Sequence, residues 1–298
     1  MWLADNWKDY EVLDASENEK LERWGKYILL RPDPQIIWKT PKKVPQWNKL
    51  NAHYHRSSRG GGEWEFFSLP EQWSIKYTLK STGKELTFNL KPFSFKHTGL
   101  FPEQAVNWEW FTGIIDEKLR SGKYDSRFKV LNLFAYTGGA TAAAASAGAH
   151  VTHVDASKGM TAWAKENAEA SGIDPVRTRW LVDDCQKLVE REIRRGNKYD
   201  GIIMDPPSYG RGPKGEIWKI EDSIYDLIML CSNLLKDDAS FFLVNSYTTG
   251  LAPAVLTYML SSILIPRFGG KAMSDEVGLP VSSSNLVLPC GAAGRWHS

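Results

Sequence analysis

From residue 127 onward, short apolar runs alternate with helical segments, and this alternation constrains the chain more than any other feature. Residues 129–134 (KVLNLF) read as a strand, and 139–148 as an alanine-rich helix stopped by Gly148. Strand 150–155, helix 158–171 with Gly172 as its stop, and strand 178–182 follow. Helix 185–195, strand 199–204, helix 223–235 and strand 240–244 complete the series. Successive strands joined by helices run parallel, because the crossover returns the chain to the same edge. A parallel sheet needs helices on both faces. The expected fold is therefore α/β and Rossmann-like, with a parallel central sheet. The tail from Gly278, two apolar stretches around residues 282–285, reads as a C-terminal antiparallel hairpin.

The composition changes near residue 125. Upstream, residues 64–67, 73–79 and 85–90 read as strands, residues 81–84 as a hairpin loop, and 103–120 as an amphipathic helix. The expected division is a small β-rich α+β domain over 1–95 and the Rossmann-like domain over 96–298. Charge is distributed unevenly at this end. Residues 1–19 hold one Lys and six acids, a balance of −5, and residues 20–60 hold ten Lys or Arg and two acids, a balance of +8. Trp24, Tyr27, Trp38, Trp47 and Tyr54 interleave with those cations. Cations on phosphates with aromatics on bases is a layout for RNA. A solubilising face over a small aromatic core gives the same pattern. His53 and His55 lie two apart, but no Cys or acid cluster accompanies them in the sequence, so no metal is expected.

No run of about 18 apolar residues is present, so no membrane partner is expected. The first twenty residues lack a basic start followed by an apolar run, and the three cysteines form no CxxC pattern. The expected compartment is the cytoplasm.

Four strand ends carry the chemistry. The first strand runs into Ala135-Tyr136-Thr137-Gly138-Gly139, a small-residue turn that opens a helix and exposes backbone N–H groups. It does not read as GxGxxG, which disfavours an NAD-dependent oxidoreductase. Asp155 ends the second strand, where a carboxylate can accept ribose hydroxyls or cap the next helix. Asp183 and Asp184 follow the third strand; one of them can meet an adenine amino group, although Asp is also common at helix starts. Asp205-Pro206-Pro207-Ser208-Tyr209 follows the fourth. Two prolines fix that backbone and remove two donors, so the Asp205 carboxylate and Pro206 carbonyl are acceptors, and Tyr209 offers a stacking face. Together they suit a planar amine such as a nucleobase; a rigid strand exit is the plainer reading.

The ordered series FAYTGG, VDAS, VDDC and MDPPSY resembles class I S-adenosylmethionine-dependent methyltransferases. More narrowly it is similar to the bacterial large-subunit ribosomal-RNA methyltransferases that act on cytosine C5 or guanine N7. Residues 96–104 (KHTGLFPEQ) resemble a segment of that family that helps cover the cofactor. The resemblance implies S-adenosylmethionine as cofactor and S-adenosylhomocysteine as product. It implies cofactor contacts at Phe101, Gln104, Phe134, Tyr136, Thr137, Gly138, Asp155, Ala156, Ser157, Asp183, Asp184 and Asp205. Tyr136, Thr137 and Gly138 would lie along the methionine part, Asp155 at the ribose and Asp184 at the adenine. Asp205, Pro206 and Tyr209 are the catalytic candidates.

One departure matters. The cytosine-C5 members carry a nucleophilic cysteine just after the fifth strand, where this chain reads Val244-Asn245-Ser246-Tyr247-Thr248-Thr249-Gly250. A hydroxyl is a far weaker nucleophile than a thiolate at neutral pH. The expected activity is therefore direct, non-covalent methyl transfer to a base in RNA, ribosomal RNA above all. A methyltransferase for a small-molecule or protein amine, and a non-catalytic RNA-binding protein that kept the fold, are the alternatives.

Overall fold

The computed structural model describes residues 1–57, 61–93, 96–122, 127–211, 217–248 and 250–298. The chain begins with β1 (Trp2–Leu3), β2 (Tyr10–Ser16), β3 (Glu19–Trp24), β4 (Tyr27–Pro32), β5 (Ala52–Arg56), β6 (Gly62–Phe66), β7 (Trp73–Thr78) and β8 (Glu85–Leu90). A 3-10 turn, Pro102–Gln104, leads into α1 (Ala105–Arg120). The alternating half follows as β9 (Lys129–Leu133), α2 (Gly139–Ser146), β10 (His150–Asp155), α3 (Lys158–Ala170), β11 (Thr178–Val182), α4 (Cys185–Arg194) and β12 (Gly201–Met204). A small hairpin, β13 (Tyr209–Arg211) and β14 (Ile217–Lys219), precedes α5 (Ile220–Ser232), β15 (Phe241–Ser246), α6 (Pro253–Phe268), β16 (Lys271–Val281) and β17 (Leu286–His297).

The central sheet has the order β11-β10-β9-β12-β15-β17-β16, with β9 to β12 and β15 mutually parallel and β17 antiparallel to both its neighbours. Alternate residues of each strand feed opposite faces. Val130, Val151, Ile203 and Leu243 join an apolar cluster with α1 and α2, whereas Leu131, Val154, Ile202 and Phe242 join one with α4, α5 and α6. The result is a helix–sheet–helix sandwich, as the alternation predicts.

Beyond β16 the sheet continues through β2-β3-β4-β5-β6. The three strands β2 to β4 were not expected, nor was α6, and the C-terminal hairpin is longer than expected, starting at Lys271. The strands place the aromatics of residues 20–60 in packing, in line with the aromatic core that is one of the two readings of this stretch. Trp24 and Tyr54 are buried; Trp38 Nε1 donates to Ala15 O at 2.8 Å, and Trp47 Nε1 to Asp14 Oδ2 at 2.8 Å. Tyr27 packs edge-on against Trp73. These rings are spent on packing, and Arg31 is buried among the same strands. The β7–β8 hairpin stands apart from the main sheet and docks on α3 through Thr87 N to Ser171 Oγ, 2.9 Å, and Asn89 N to Asn167 Oδ1, 2.8 Å.

A buried ion pair fixes β3 to β4. Arg31 Nε donates to Glu22 Oε2 at 2.6 Å, Arg31 Nη2 to Oε1 at 2.7 Å, and Tyr10 Oη to Oε1 at 2.7 Å. Burial works to raise the Glu22 pKa, but the charges of Arg31 and Lys20 and these hydrogen bonds hold it at about 2. Arg31 Nη1 also donates to Lys96 O at 2.9 Å, tying these strands to the segment before α1. Glu22→Gln leaves the Arg31 charge uncompensated and is expected to cost about 3–5 kcal/mol. Urea unfolding at pH 7 checks this. The contribution is full above the ordinary Glu pKa of about 4.3 and is lost as pH falls through about 2, so the two proteins converge in acid.

Candidate active site

The strand order reverses at β9, whose neighbours are β10 on one side and β12 on the other. Loops leaving β9 and β12 diverge there, and a crevice opens at the carboxyl ends of the strands. The turn after β9 is tightly wound: Phe134 and Tyr136 have φ of 55° and 50°, in the left-handed region that non-glycine residues seldom occupy. Gly138 follows at φ 80°, and a Cβ there would stand 2.8 Å from Ala164 Cβ. Only glycine lets the turn lie this close to α3.

Asp155 locks the turn. Its Oδ2 accepts from Tyr136 N and its Oδ1 from Ser157 N, both at 2.8 Å. Burial raises its pKa against the pull of those donors. Ser157 caps α3 through Met160 N. Thr137 Oγ1 donates to Gly99 O at 2.5 Å and Asn167 Nδ2 to Thr137 O at 2.8 Å, so the segment before α1 is stitched to the same turn. Gly99 has φ 98°, and a Cβ would lie 2.3 Å from the Trp163 ring.

A cleft of about 560 Å³ opens beside this turn. Phe101, Phe134, Tyr136, Asp155, Ala156, Asp205 and Pro206 line it. Gln104 and Thr137 line a narrower cavity of about 50 Å³ that shares Phe101, Phe134, Tyr136 and Asp205 with the cleft. The remaining candidates stand outside these walls. Asp183 pairs with Arg191 and with Asp184 N; Asp184 Oδ1 caps α4 through Lys187 N at 2.9 Å. Tyr209 is about half exposed on β13, one residue beyond the cleft-lining Ser208.

Further lining comes from Lys20, Arg31, Asp33, Tyr247 and Cys290, which the sequence did not single out as site residues, and from Lys96, His97 and Glu103 of the segment 96–104. Burial lowers Lys96 to about 8 and His97 to about 4. Burial, then the negative charge of Glu103, raises Asp205 to about 7, and Glu103 is itself raised by burial. Gln104 is held rigidly: Nε2 donates to Tyr247 Oη at 2.7 Å, and Oε1 accepts from Asn107 and Asn245 at 2.9 and 3.0 Å. Cys290 supplies a thiol in the wall, but it donates to Leu288 O at 3.4 Å and burial pushes its pKa far up. It is a protonated thiol rather than a nucleophile.

A sequence profile of S-adenosylmethionine-dependent methyltransferases matches residues 61–236, across the strands that build the crevice. The chain belongs to this family. A solved S-adenosylmethionine-dependent methyltransferase from Agrobacterium tumefaciens superposes with a TM-score of 0.86 at 32% identity, covering 99% of this chain and 93% of that one. Ribosomal RNA large subunit methyltransferase K/L of Chromohalobacter salexigens is 30% identical over 182 residues, 61% of this chain. Ribosomal RNA large subunit methyltransferase I of Aeromonas salmonicida is 35% identical over 121 residues, 40% of this chain. The methyltransferase spans 22% and 30% of those two relatives' lengths through these matches.

The cleft suits the cofactor. Among the described residues, the Tyr136 hydroxyl is buried there without a hydrogen-bond partner, the condition of a polar group that a bound ligand satisfies. The Asp155 carboxylate beside the tight turn after β9 matches the ribose of a nucleoside. Since Asp205 holds its proton in the native state up to about pH 7 and releases it near pH 4 when unfolded, ionisation destabilises the native state across that interval. Asp205→Asn is expected to melt higher than the parent protein at pH 8 and equally at pH 4, as thermal unfolding at the two values checks.

Proposed function

We propose that this methyltransferase acts in the cytoplasm on a base of ribosomal RNA by direct, non-covalent transfer. The observation that carries the reading is the placing of Asp205 and Pro206 in one cleft with Asp155, whose lining also includes Lys20, Arg31 and Lys96. The two relatives named above are ribosomal RNA methyltransferases by name. Residues 1–95 then present the substrate to residues 96–298.

When bound, S-adenosylmethionine supplies an electrophilic methyl group on a sulfonium. In this reading Asp155 takes the ribose hydroxyls, and its two bonds from the turn orient it for them. Tyr136, Thr137 and Gly138 line the methionine end with Phe134, Phe101 and Gln104, and Ala156 and Ser157 continue the ribose side. Asp184, whose Oδ1 is used by the helix cap, offers its second oxygen to the adenine amino group, with Asp183 beside it. Asp205, once ionised, and the Pro206 carbonyl accept from the substrate amine and aim its lone pair at the methyl group. Tyr209, half exposed beside Ser208, stacks on the base at the mouth after it leaves its helix. Lys20 and Lys96 meet the flanking phosphates.

Two substitutions separate binding from chemistry. Asp155→Ala is expected to weaken S-adenosylhomocysteine binding about 10-fold or more in calorimetry, the worth of charged hydrogen bonds. Asp205→Ala is expected to cut turnover by about 100-fold or more with cofactor affinity nearly unchanged. The rate of the parent protein is expected to rise through about pH 7, where Asp205 ionises, and lose that step in Asp205→Asn. The substrate is tested with ribosomal RNA from cells lacking the protein. Methyl incorporation that falls steeply with added salt supports the reading, and incorporation only into a small amine overturns it.

A further inference from the structure

His53 and His55 stand two residues apart on β5, so both imidazoles leave the same face of the sheet. Their ring centroids are 3.8 Å apart. The antiparallel register sets Glu65 of β6 opposite His53, and Glu65 Oε2 lies 2.8 Å from His55 Nε2. Glu19, the first residue of β3, reaches the pair from the other side, with Oε1 3.3 Å from His53 Nε2. A donor atom from each of His53, His55 and Glu65 lies within 4.8 Å of the other two. The acid company that these histidines lack in the sequence is thus supplied by strand pairing.

Each contact taken alone is an ordinary surface hydrogen bond. Together they bring two nitrogen donors and the Glu65 carboxylate within reach of one point, with Glu19 at its edge. Lys42 is the cation beside the cluster. Its Nζ lies 2.9 Å from Glu19 Oε2 and 3.3 Å from Glu17 Oε2, so it occupies the far oxygen of Glu19 and leaves Oε1 aimed at His53.

We propose that His53, His55 and Glu65, with Glu19 as the fourth ligand, bind a divalent transition cation of the zinc class. Two imidazoles with two carboxylates suit zinc, whereas magnesium and calcium take oxygen shells. Tetrahedral zinc with bonds of about 2.0–2.2 Å sets its donor atoms about 3.3 Å apart. The 2.8 and 3.3 Å contacts are already near that spacing, and rotation of the exposed His55 and Glu65 side chains closes the rest. The ion would fasten β6, the last strand of the sheet, to β5 and β3. The apolar cluster on this face is small, with Leu13, Leu21 and Leu30 as its buried members, so a metal clasp would add to the packing there.

The test is calorimetric titration of the full-length, EDTA-treated protein with zinc chloride at pH 7.5, with magnesium chloride as control. One saturable zinc site is expected, with no magnesium binding there. His53→Ala and Glu65→Gln, each verified as folded by circular dichroism, are expected to weaken zinc binding at least about 10-fold and to abolish a zinc-dependent rise in melting temperature. Cobalt(II) is expected to give a visible absorption band that His53→Ala removes. No saturable zinc binding, or binding undiminished in both variants, would overturn the proposal.

Discussion

The site depends on one topological constraint: β9 lies in the sheet with β10 on one side and β12 on the other. Chain leaving β9 must turn toward one face and chain leaving β12 toward the other, so a gap opens between them. Everything chemical is placed by that gap. Asp155 at the end of β10 reaches across to the β9 turn and holds Tyr136 N at 2.8 Å, and Asp205 faces it from the end of β12. The unusual φ values at Phe134 and Tyr136 are the local cost of a turn tight enough to leave the crevice open.

The second constraint is closure. The N-terminal strands add to the far side of β16 and bring Lys20, Arg31 and Asp33 over the crevice. Their seating depends on buried polar contacts. Glu22 neutralises Arg31, while Arg295 of β17 donates to Asn107 Oδ1 from Nε and Nη2, at 3.0 and 2.6 Å, and lies over Trp2. Asn107 continues through Gln104 and Asn245 to the floor of the site. Closure also takes water from Asp205 and Glu103, and desolvation of two neighbouring carboxylates is what raises both. A fold maintains so costly an arrangement chiefly where chemistry uses it.

Much of this was legible in the sequence, for physical reasons. The strands of the alternating half are buried on both faces, so they read as unbroken apolar runs, and glycines stop the helices between them. Chemistry at strand ends put Asp155 and Asp205 in view. Strands β3 and β4 were hidden because Glu22 and Arg31 are buried as a pair, which makes a strand look like part of a charge run. Helix α6 was hidden because its apolar residues surround it, leaving no stripe to detect. Glu103, Tyr247 and Cys290 reach the cleft only through long-range packing, as Glu19 and Glu65 reach His53 and His55 only through register. Composition cannot separate an aromatic that stacks on a base from one that fills a core, and Trp24 proved to be the second kind.

The central claim is that the cofactor lies at the strand-order reversal, with the reacting end between Asp155 and Asp205. A crystal structure with bound S-adenosylhomocysteine tests it most directly. The account predicts ribose hydroxyls within hydrogen-bond distance of the Asp155 carboxylate, the amino-acid tail against the 135–139 turn, and the sulfur facing Asp205 and Pro206. An adenosyl group seated elsewhere, or a sulfur turned away from Asp205, would contradict it.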